Sequence, residues 1–244
     1  MSRLDGIFFD IDDTLFSTTG FAEQARRNSI RAMIQMGLNA DAEQVYRELE
    51  DVIDEFSSNY GGHYDKLLMR LDPEALRGCH SSLLVAAAVA AYHDTKFREL
   101  SAYEDVLQAF RRLAKTDLVL GIISSGLRIK QAEKIVRLKI WPFVNPRAVF
   151  ITDEVGIGKP NPKLFQKACE VMNLEPRYTM YVGDHPRSDV DASNRAGLIS
   201  VWNRREGKHL LEKGETRPDF EIFNFLELLD ILQTSFGFDF GLEL

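Results

Sequence analysis

The stretch from Gly6 to Phe16 reads GIFFDIDDTLF, and it decides the fold prediction. It begins as a short apolar run, which is typical of a strand buried on both faces in a parallel sheet. Three aspartates then follow within four positions, at Asp10, Asp12 and Asp13. Like charges at this spacing repel one another, and burial of an unpaired carboxylate is unfavourable. The stretch therefore predicts a buried strand that ends at a charged site, where another group compensates the negative charge.

Downstream of residue 98, strand patterns alternate with helix patterns. Apolar runs typical of strands occur in LVLGIIS (Leu118–Ser124), AVFIT (Ala148–Thr152), YTMYVGD, LISVW and PDFEI. Helix patterns separate them, such as Arg128–Leu138, the stretch that begins at the cap signal Asn161–Pro162, and RSDVDASNRAG, which ends on Gly197. Strands that alternate with helices of about 10–15 residues indicate βαβ units. The predicted fold class is therefore α/β, with a Rossmann-like parallel sheet and helices on both faces.

Residues 17–97 follow a different pattern. Apolar residues recur there at helical spacing, for example Val45, Leu49 and Val52, and the segment contains about four helix patterns and no convincing strand. The sequence therefore predicts an all-helical domain at 17–97, inserted after the first strand. The α/β core would comprise residues 1–16 and 98–244.

The charge and the apolar runs exclude several classes of partner. The chain has 244 residues and a formal net charge of −7, and an acidic surface attracts neither nucleic acid nor an anionic membrane. The two distant cysteines, Cys79 and Cys169, give no disulfide framework and no zinc signature. The longest apolar run, Leu83–Tyr92, is about half the length that a bilayer requires. With no signal-peptide core at the N-terminus, the sequence favours a cytoplasmic location; it leaves the oligomeric state open.

Polar residues follow four of the predicted strands. Ligands of open parallel sheets bind beyond the carboxyl ends of the strands, so these residues are expected to share one edge. They are Asp10 and Asp12 after the first strand, Ser124, Ser125 and Gly126 after the second, Lys159 after the third, and Asp184 and Asp189 after the fourth. Each alone is compatible with a turn, a helix cap or a surface position. Their convergence predicts a shared site.

A divalent cation would resolve the crowding of carboxylates. Asp10 and Asp184, with a backbone carbonyl and waters, form the hard oxygen environment that suits Mg²⁺. A cation between them turns repulsion into attraction. With Lys159 and the Ser-Ser-Gly turn, such a site matches a bound phosphoryl group. The sequence therefore predicts a Mg²⁺ site that binds a small phosphorylated metabolite.

Four motifs carry a family resemblance. The segments FFDIDDTL, GIISSG, GKPNPKLF and VGDHPRSD occur in the order, and at roughly the spacing, of the motifs of the haloacid dehalogenase-like (HAD) phosphohydrolases. The helical segment after the first motif resembles the helical cap of the phosphoglycolate-phosphatase-like branch. The resemblance covers nearly the whole chain and implies a phosphate monoester hydrolase with a cap domain.

The resemblance also implies a role for each matched residue. Asp10 would be the nucleophile that forms an aspartyl-phosphate. Asp12 would be the general acid for the leaving alcohol and then the base for the hydrolytic water. Lys159 would neutralise charge between nucleophile and phosphate. The implied phosphate-binding residues are Ser124, Ser125 and Gly126, and the implied metal ligands are Asp10, the backbone carbonyl of Asp12, Asp184 and Asp189.

Two other functions remain open on the sequence alone. The dehalogenating members of the family lack an acid at the position of Asp12, because halide leaves without a proton, so this residue favours phosphate-ester hydrolysis. A sugar phosphomutase of the same family would keep every site residue. A non-catalytic phosphate-binding regulator would be expected to lose Asp10, Asp12 or Lys159, and all three are present.

The substrate is not specified by these motifs. Side chains of the predicted helical domain and its entry are the candidates for specificity: Phe16, Thr18, Phe21, Tyr60, Tyr64 and Arg70. His185, within the fourth motif, is a further candidate for substrate contact. Asp13 has no implied role, and we expect it to face solvent or to bond to the loop backbone.

Overall fold

The computed structural model describes residues 2–205, 207 and 209–241. They divide into two compact units. The first combines the chain up to Thr18 with the chain from Ser101 onward, and the second is Thr19–Leu100. The sequence predicts the inserted domain at 17–97. That these units are a catalytic core and a cap stays a prediction.

Strands and helices alternate through the first unit and helices alone form the second. The strands are β1 (Gly6–Phe9), β2 (Val119–Ser124), β3 (Val149–Ile151), β4 (Thr179–Gly183), β5 (Ile199–Asn203) and β6 (Phe220–Ile222). The helices are α1 (Thr18–Gln35), α2 (Ala42–Phe56), α3 (His63–Leu68), α4 (Ser81–Glu99), α5 (Glu104–Leu113), α6 (Arg128–Arg137), α7 (Thr152–Val155), α8 (Pro162–Met172), α9 (Ala192–Ala196) and α10 (Phe225–Ile231). Shorter helical turns lie at Pro73–Leu76, Pro176–Tyr178, Pro186–Asp191 and Leu232–Phe236.

The strands form one parallel sheet in the order β3-β2-β1-β4-β5-β6. The predicted α/β class with a parallel sheet is confirmed. Strand β1 is central, and its residue Phe9 pairs with Ile122 on one side and Val182 on the other. This register brings the residues after β1, β2 and β4 to the same edge, where the strand order reverses.

Alternating side chains of β1 cover both faces of the sheet. Phe8 packs edge-on against Phe150 at a ring-centroid distance of 5.9 Å. Its neighbour Phe9 points to the other face, where its ring lies 4.8 Å from Phe110 of α5 and 5.9 Å from Phe225 of α10. Burial of a phenylalanine side chain contributes about 1.5–3 kcal/mol. The apolar residues of β1 thus hold the strand between two helical layers. Asp10 follows directly after Phe9, so its position is fixed by the end of this strand.

The helical unit has its own apolar core. The packed residues come from α1 to α4 and the loops between them: Ile30, Met33, Leu38, Val45, Tyr46, Leu49, Leu67, Leu68, Leu84 and Ala88. Asp41 caps the N-terminus of α2, and its side chain accepts a hydrogen bond from the backbone N–H of Gln44. No helix in the described part of the chain is both long and apolar enough to cross a membrane.

Two local predictions differ from the structure. The strand predicted to end at Thr152 ends at Ile151, because Thr152 begins the short helix α7. The helix predicted from RSDVDASNRAG starts as a π-helical turn, Pro186–Asp191, before α9. It ends at Gly197, as the sequence predicts, with the left-handed φ of 84° that glycine adopts without strain.

Candidate active site

A buried lysine contacts two carboxylates that follow neighbouring central strands, β1 and β4. The ammonium of Lys159 donates hydrogen bonds to Oδ1 of Asp10 over 2.7 Å and to Oδ1 of Asp189 over 2.8 Å. All three side chains are at least nine-tenths buried. Burial alone would lower the pKa of Lys159, but the two carboxylates outweigh it and raise the pKa, so the ammonium stays charged. One cation thus bridges two residues that lie 179 positions apart in sequence.

Asp184 completes a cluster of three buried carboxylates. Asp10, Asp184 and Asp189 each offer an oxygen within 4.8 Å of the others. Burial raises the pKa of Asp10 to about 7, with Lys159 opposing the rise and Asp189 reinforcing it. Burial, together with the charges of Asp189 and Asp10, raises the pKa of Asp184 to about 9. The cluster therefore resists carrying its full negative charge.

The charge balance of this cluster fits a divalent cation. Three carboxylates and one ammonium leave two negative charges without a compensating group among these four residues. Hard oxygen donors at this mutual distance suit Mg²⁺. Its charge would reverse the repulsion that raises the pKa values of Asp10 and Asp184. The donor set therefore fits the metal predicted from the sequence.

Asp189 is fixed by its neighbours on β4 and in the loop after it. The Tyr181 hydroxyl lies 3.1 Å from Oδ1 of Asp189, and the backbone N–H of His185 donates to Oδ2 over 3.0 Å. Gly183 allows this approach, because a Cβ at that position would lie 2.4 Å from Oδ2 of Asp189. The glycine of the fourth motif therefore makes room for the carboxylate five residues after Asp184.

Asp12 has a different environment from Asp10. The Lys134 ammonium lies 2.5 Å from its Oδ1 and 2.7 Å from its Oδ2, while Thr18 and Gln131 donate further hydrogen bonds. Burial alone would raise the pKa of Asp12. The charge of Lys134 and the hydrogen bonds from Lys134, Thr18 and Gln131 outweigh burial, and they lower the pKa of Asp12. The two aspartates of the first motif thus have pKa values displaced in opposite directions: Asp12 rests as a carboxylate paired with Lys134, whereas burial favours a proton on Asp10.

Asp13 binds the backbone at the start of α1. It is buried, its φ is 52°, and its Oδ1 accepts a hydrogen bond from the Thr18 backbone N–H over 2.8 Å. Of the two alternatives predicted for Asp13, exposure to solvent is wrong and a hydrogen bond to the backbone is observed, at the first backbone amide of α1. An aspartate tolerates the left-handed conformation better than most residues.

The turn after β2 offers one unused hydroxyl. Ser124 is fully buried, and its Oγ has no hydrogen-bond partner among the described residues. The Ser125 carbonyl accepts from Gln131 over 2.7 Å, and the Gly126 N–H donates to Oγ1 of Thr152 over 3.0 Å. A buried hydroxyl without a partner is uncommon. Ser124 is therefore available to a ligand, whereas the hydrogen bonds of Ser125 and Gly126 fix the turn.

His185 packs against another histidine. Its ring stacks on His209 at a centroid distance of 4.0 Å, and Oε1 of Glu212 lies 2.6 Å from Nδ1 of His209. Burial and the His209 ring lower the pKa of His185. A nitrogen of each ring and a carboxylate oxygen of Glu212 lie within 4.8 Å of one another, so these three residues could also hold a metal ion.

Several candidate specificity residues have partners within their own unit. The Tyr64 hydroxyl donates to Oγ of Ser29 over 2.7 Å, and Arg70 binds Glu55. The Tyr60 ring stacks on Phe56 at 5.1 Å. Phe21 contacts Tyr92 edge-on, Phe16 is buried, and Thr18 contacts Asp12. These contacts favour packing roles for Tyr64 and Arg70.

The sequence reasoning missed Lys134 and Gln131. Neither belongs to a recognised motif, and lysine on an amphipathic helix is usually a surface residue. Their spacing of three positions on one helix face was the available signal. It could not indicate which carboxylate the face would meet.

Comparison with known proteins identifies the class to which this fold and site belong. A family model described as haloacid dehalogenase-like hydrolase matches residues 7–202. The chain belongs to this family. The solved structure of a HAD phosphatase from Thermococcus onnurineus shares the fold, with a TM-score of 0.65 and 23% identity over 94% of this chain and 98% of that one.

Two relatives of known name indicate which kind of hydrolase this chain is similar to. A glyceraldehyde 3-phosphate phosphatase from Methanopyrus kandleri is 43% identical over 236 residues, which are 94% of this chain and 97% of the relative. A protein of the same name from Pyrococcus furiosus is 40% identical over 242 residues, which are 98% of this chain and 97% of that relative. The prediction of a phosphoric monoester hydrolase is confirmed.

Proposed function

We propose that the chain is a Mg²⁺-dependent phosphatase that hydrolyses a small phosphate monoester through an aspartyl-phosphate on Asp10, and that glyceraldehyde 3-phosphate is a substrate. The observation that carries the mechanism is the buried bridge from Lys159 to Asp10 and Asp189, beside Asp184. The names of the relatives support the substrate. A small phosphorylated metabolite and a cytoplasmic location, expected from the sequence, belong to the same proposal.

In the first half-reaction an oxygen of Asp10 attacks phosphorus. A bond forms between that oxygen and phosphorus, the bond to the ester oxygen breaks, and its electron pair stays on the leaving alkoxide. Asp12 takes up a proton before this step, against the donors that lower its pKa, and gives that proton to the alkoxide, which departs as the alcohol. Lys159 opposes the burial that raises the pKa of Asp10 and holds the carboxylate in place, because it contacts the carboxylate directly.

In the second half-reaction water attacks phosphorus of the aspartyl-phosphate. Asp12, now a carboxylate, takes a proton from the water, and the bond between phosphorus and the Asp10 oxygen breaks. Inorganic phosphate and the free Asp10 carboxylate result, and Asp12 again carries a proton. The enzyme returns to its starting state without an additional reactant.

The other residues bind the phosphoryl group and the cation. The Ser124 hydroxyl would donate to a phosphoryl oxygen, which would satisfy its buried group. Asp10, the backbone carbonyl of Asp12, Asp184 and Asp189 would hold Mg²⁺, whose charge stabilises the negative phosphoryl oxygens. Ser125 and Gly126 would shape the turn that presents Ser124.

Phosphate release with and without Mg²⁺ tests this function. Purified enzyme is incubated with glyceraldehyde 3-phosphate and a panel of small sugar and glycolytic phosphates, and inorganic phosphate is measured. We expect turnover that requires Mg²⁺, stops with EDTA, and falls at least about 1,000-fold in Asp10→Asn. Turnover that survives EDTA or Asp10→Asn refutes the mechanism. Transfer of the phosphoryl group to another sugar position, without free phosphate, indicates a phosphomutase.

A further inference from the structure

The Asp12 carboxylate is held from outside the four motifs. Its Oδ1 accepts from Thr18 over 2.7 Å and its Oδ2 from Gln131 over 3.1 Å. The Lys134 ammonium contacts both oxygens, at 2.5 Å and 2.7 Å. Each oxygen thus has two donors. These contacts fix both the position and the rotation of the carboxylate.

Helix α6 supplies two of these donors from one face. Gln131 and Lys134 lie three positions apart, and residues at this spacing share a helix face. Gln131 is buried and also donates to the Ser125 carbonyl. At Gly126 the φ is 138°, and a Cβ there would lie 2.6 Å from Nε2 of Gln131. The turn after β2 therefore leaves room for the side chain that reaches Asp12.

The two lysines of the site contact different carboxylates. Lys159 contacts Asp10 and Asp189, whereas Lys134 contacts Asp12 and lies 5.8 Å from the Phe16 ring centroid. The Lys134 side chain is 17% exposed. A largely buried ion pair gains little net stability, because desolvation of both charges offsets their attraction. Stability alone thus gives a weak reason for a lysine here, whereas orientation of a reactive group gives a strong one.

We propose that Lys134 is a positioning residue for Asp12, and that it acts in the reaction by holding the acid–base carboxylate where the leaving oxygen must receive its proton. This inference rests on the proposed function, in which Asp12 gives its proton to the alkoxide while the bond from phosphorus to the ester oxygen breaks. Lys134 holds the carboxylate that remains after this transfer. Its loss should therefore slow reactions whose leaving group needs a proton.

Two esters separate this role from a general structural one. Glyceraldehyde 3-phosphate releases an alkoxide, which needs a proton, whereas p-nitrophenyl phosphate releases a stable phenolate, which does not. The kcat/KM for each ester is measured for wild type, Lys134→Met, Lys134→Arg and Asp12→Asn, and for the double variant Lys134→Met with Asp12→Asn. Lys130→Met, an exposed lysine on the same helix, is the matched control.

The expected result is a substrate-dependent loss. Lys134→Met should lower kcat/KM for glyceraldehyde 3-phosphate about 10- to 100-fold, and for p-nitrophenyl phosphate less than about 3-fold. In the Asp12→Asn background the same substitution should cause no further loss, because residues that act as a unit are not additive. Lys134→Arg should recover part of the activity, since guanidinium also binds both oxygens of a carboxylate. Lys130→Met should match wild type.

Three results overturn the proposal. The first is an equal loss of kcat/KM on both esters in Lys134→Met. The second is a loss of kcat/KM on adding Lys134→Met to Asp12→Asn that is as large as in the wild-type background. The third is wild-type kcat/KM in Lys134→Met. Thermal unfolding of each variant shows whether an equal loss reflects misfolding, and the double variant still decides whether Lys134 acts through Asp12. Failure of the proposed function is seen separately, as absence of phosphate release by the wild-type enzyme from either ester.

Discussion

The ammonium of Lys159 lies 2.7 Å from Oδ1 of Asp10, and both side chains are buried. The ammonium favours the ionised form of the proposed nucleophile and so opposes the burial that raises the pKa of Asp10. Lys159→Met should lower kcat at least about 100-fold, because preorganised charge beside a reacting group typically contributes this much. It should also reduce the free energy of unfolding by about 3–5 kcal/mol, since it leaves buried carboxylates without their cation.

Steady-state kinetics and urea denaturation check this prediction. Lys163→Met, an exposed lysine in α8, is the control and should change neither quantity. Retention of kcat within about 3-fold in Lys159→Met would show that this lysine does not support the nucleophile.

Stability of the metal-free enzyme should fall as pH rises. The folded pKa values of Asp10 and Asp184, about 7 and about 9, lie above the ordinary value of 3.8. Between pH 3.8 and these folded pKa values, the folded state binds more protons than the unfolded state. Deprotonation in this range therefore favours unfolding. Mg²⁺ should offset this loss, and its stabilising effect should grow with pH because its ligands must be deprotonated.

Thermal unfolding between pH 5 and pH 9, with EDTA and with Mg²⁺, measures this coupling. In the variant Asp184→Asn the fall in metal-free Tm with pH should be smaller, and so should the Mg²⁺ effect. A Mg²⁺ shift of the same size at every pH is the contrary result, because it places the ion away from these carboxylates.

Asp13 should contribute to stability and not to the chemistry. Asp13→Asn keeps an acceptor for the Thr18 amide and tolerates a φ of 52°, so it should change stability by less than about 0.5 kcal/mol. Asp13→Ala loses the acceptor and should cost about 2 kcal/mol. Denaturation and kcat are measured for both variants. A loss of kcat in Asp13→Asn comparable to that in Asp10→Asn contradicts the structural role.

Asp105 should stabilise the fold in a pH-dependent way. It accepts hydrogen bonds from Arg205 and from the Phe225 backbone N–H. Burial opposes ionisation, but these donors outweigh it and lower the pKa of Asp105. A lowered pKa gives stability that is complete above the unfolded value of 3.8 and is lost as pH falls through the folded value.

Asp105→Asn should therefore cost about 1–2 kcal/mol at pH 7 and much less near pH 2. The measurement is urea denaturation at both pH values, with kcat as a check that catalysis is unaffected. Glu104→Gln, an exposed neighbour in α5, is the control. A cost that is the same at both pH values argues that the charge of Asp105 is not what stabilises the contact.

The sheet and the sheet-edge residues were predictable because their signals are local in sequence. A buried strand followed by Asp10, and a second followed by Asp184, predict one shared edge from parallel topology alone. The register of Phe9 with Val182 then brings the two residues together. Lys134 was not predictable, because its contact with Asp12 spans 122 positions and depends on the placement of α6.

The third aspartate shows a different limit of sequence reasoning. Asp10, Asp12 and Asp13 are chemically identical, and spacing alone does not reveal their surroundings. The structure separates them by their partners: Lys159 for Asp10, Lys134 for Asp12 and a backbone amide for Asp13. Backbone conformation decides the last case, since a positive φ turns the Asp13 side chain toward α1.

Capture of the covalent intermediate shows directly whether Asp10 carries the phosphoryl group. The enzyme is mixed with substrate and Mg²⁺, quenched within milliseconds, and reduced with borohydride, which converts an aspartyl-phosphate to homoserine. Peptide mass spectrometry then locates the modified residue. We expect homoserine at position 10, dependent on substrate and absent in Asp10→Asn. Modification at another residue, or full turnover without any modified aspartate, would contradict it.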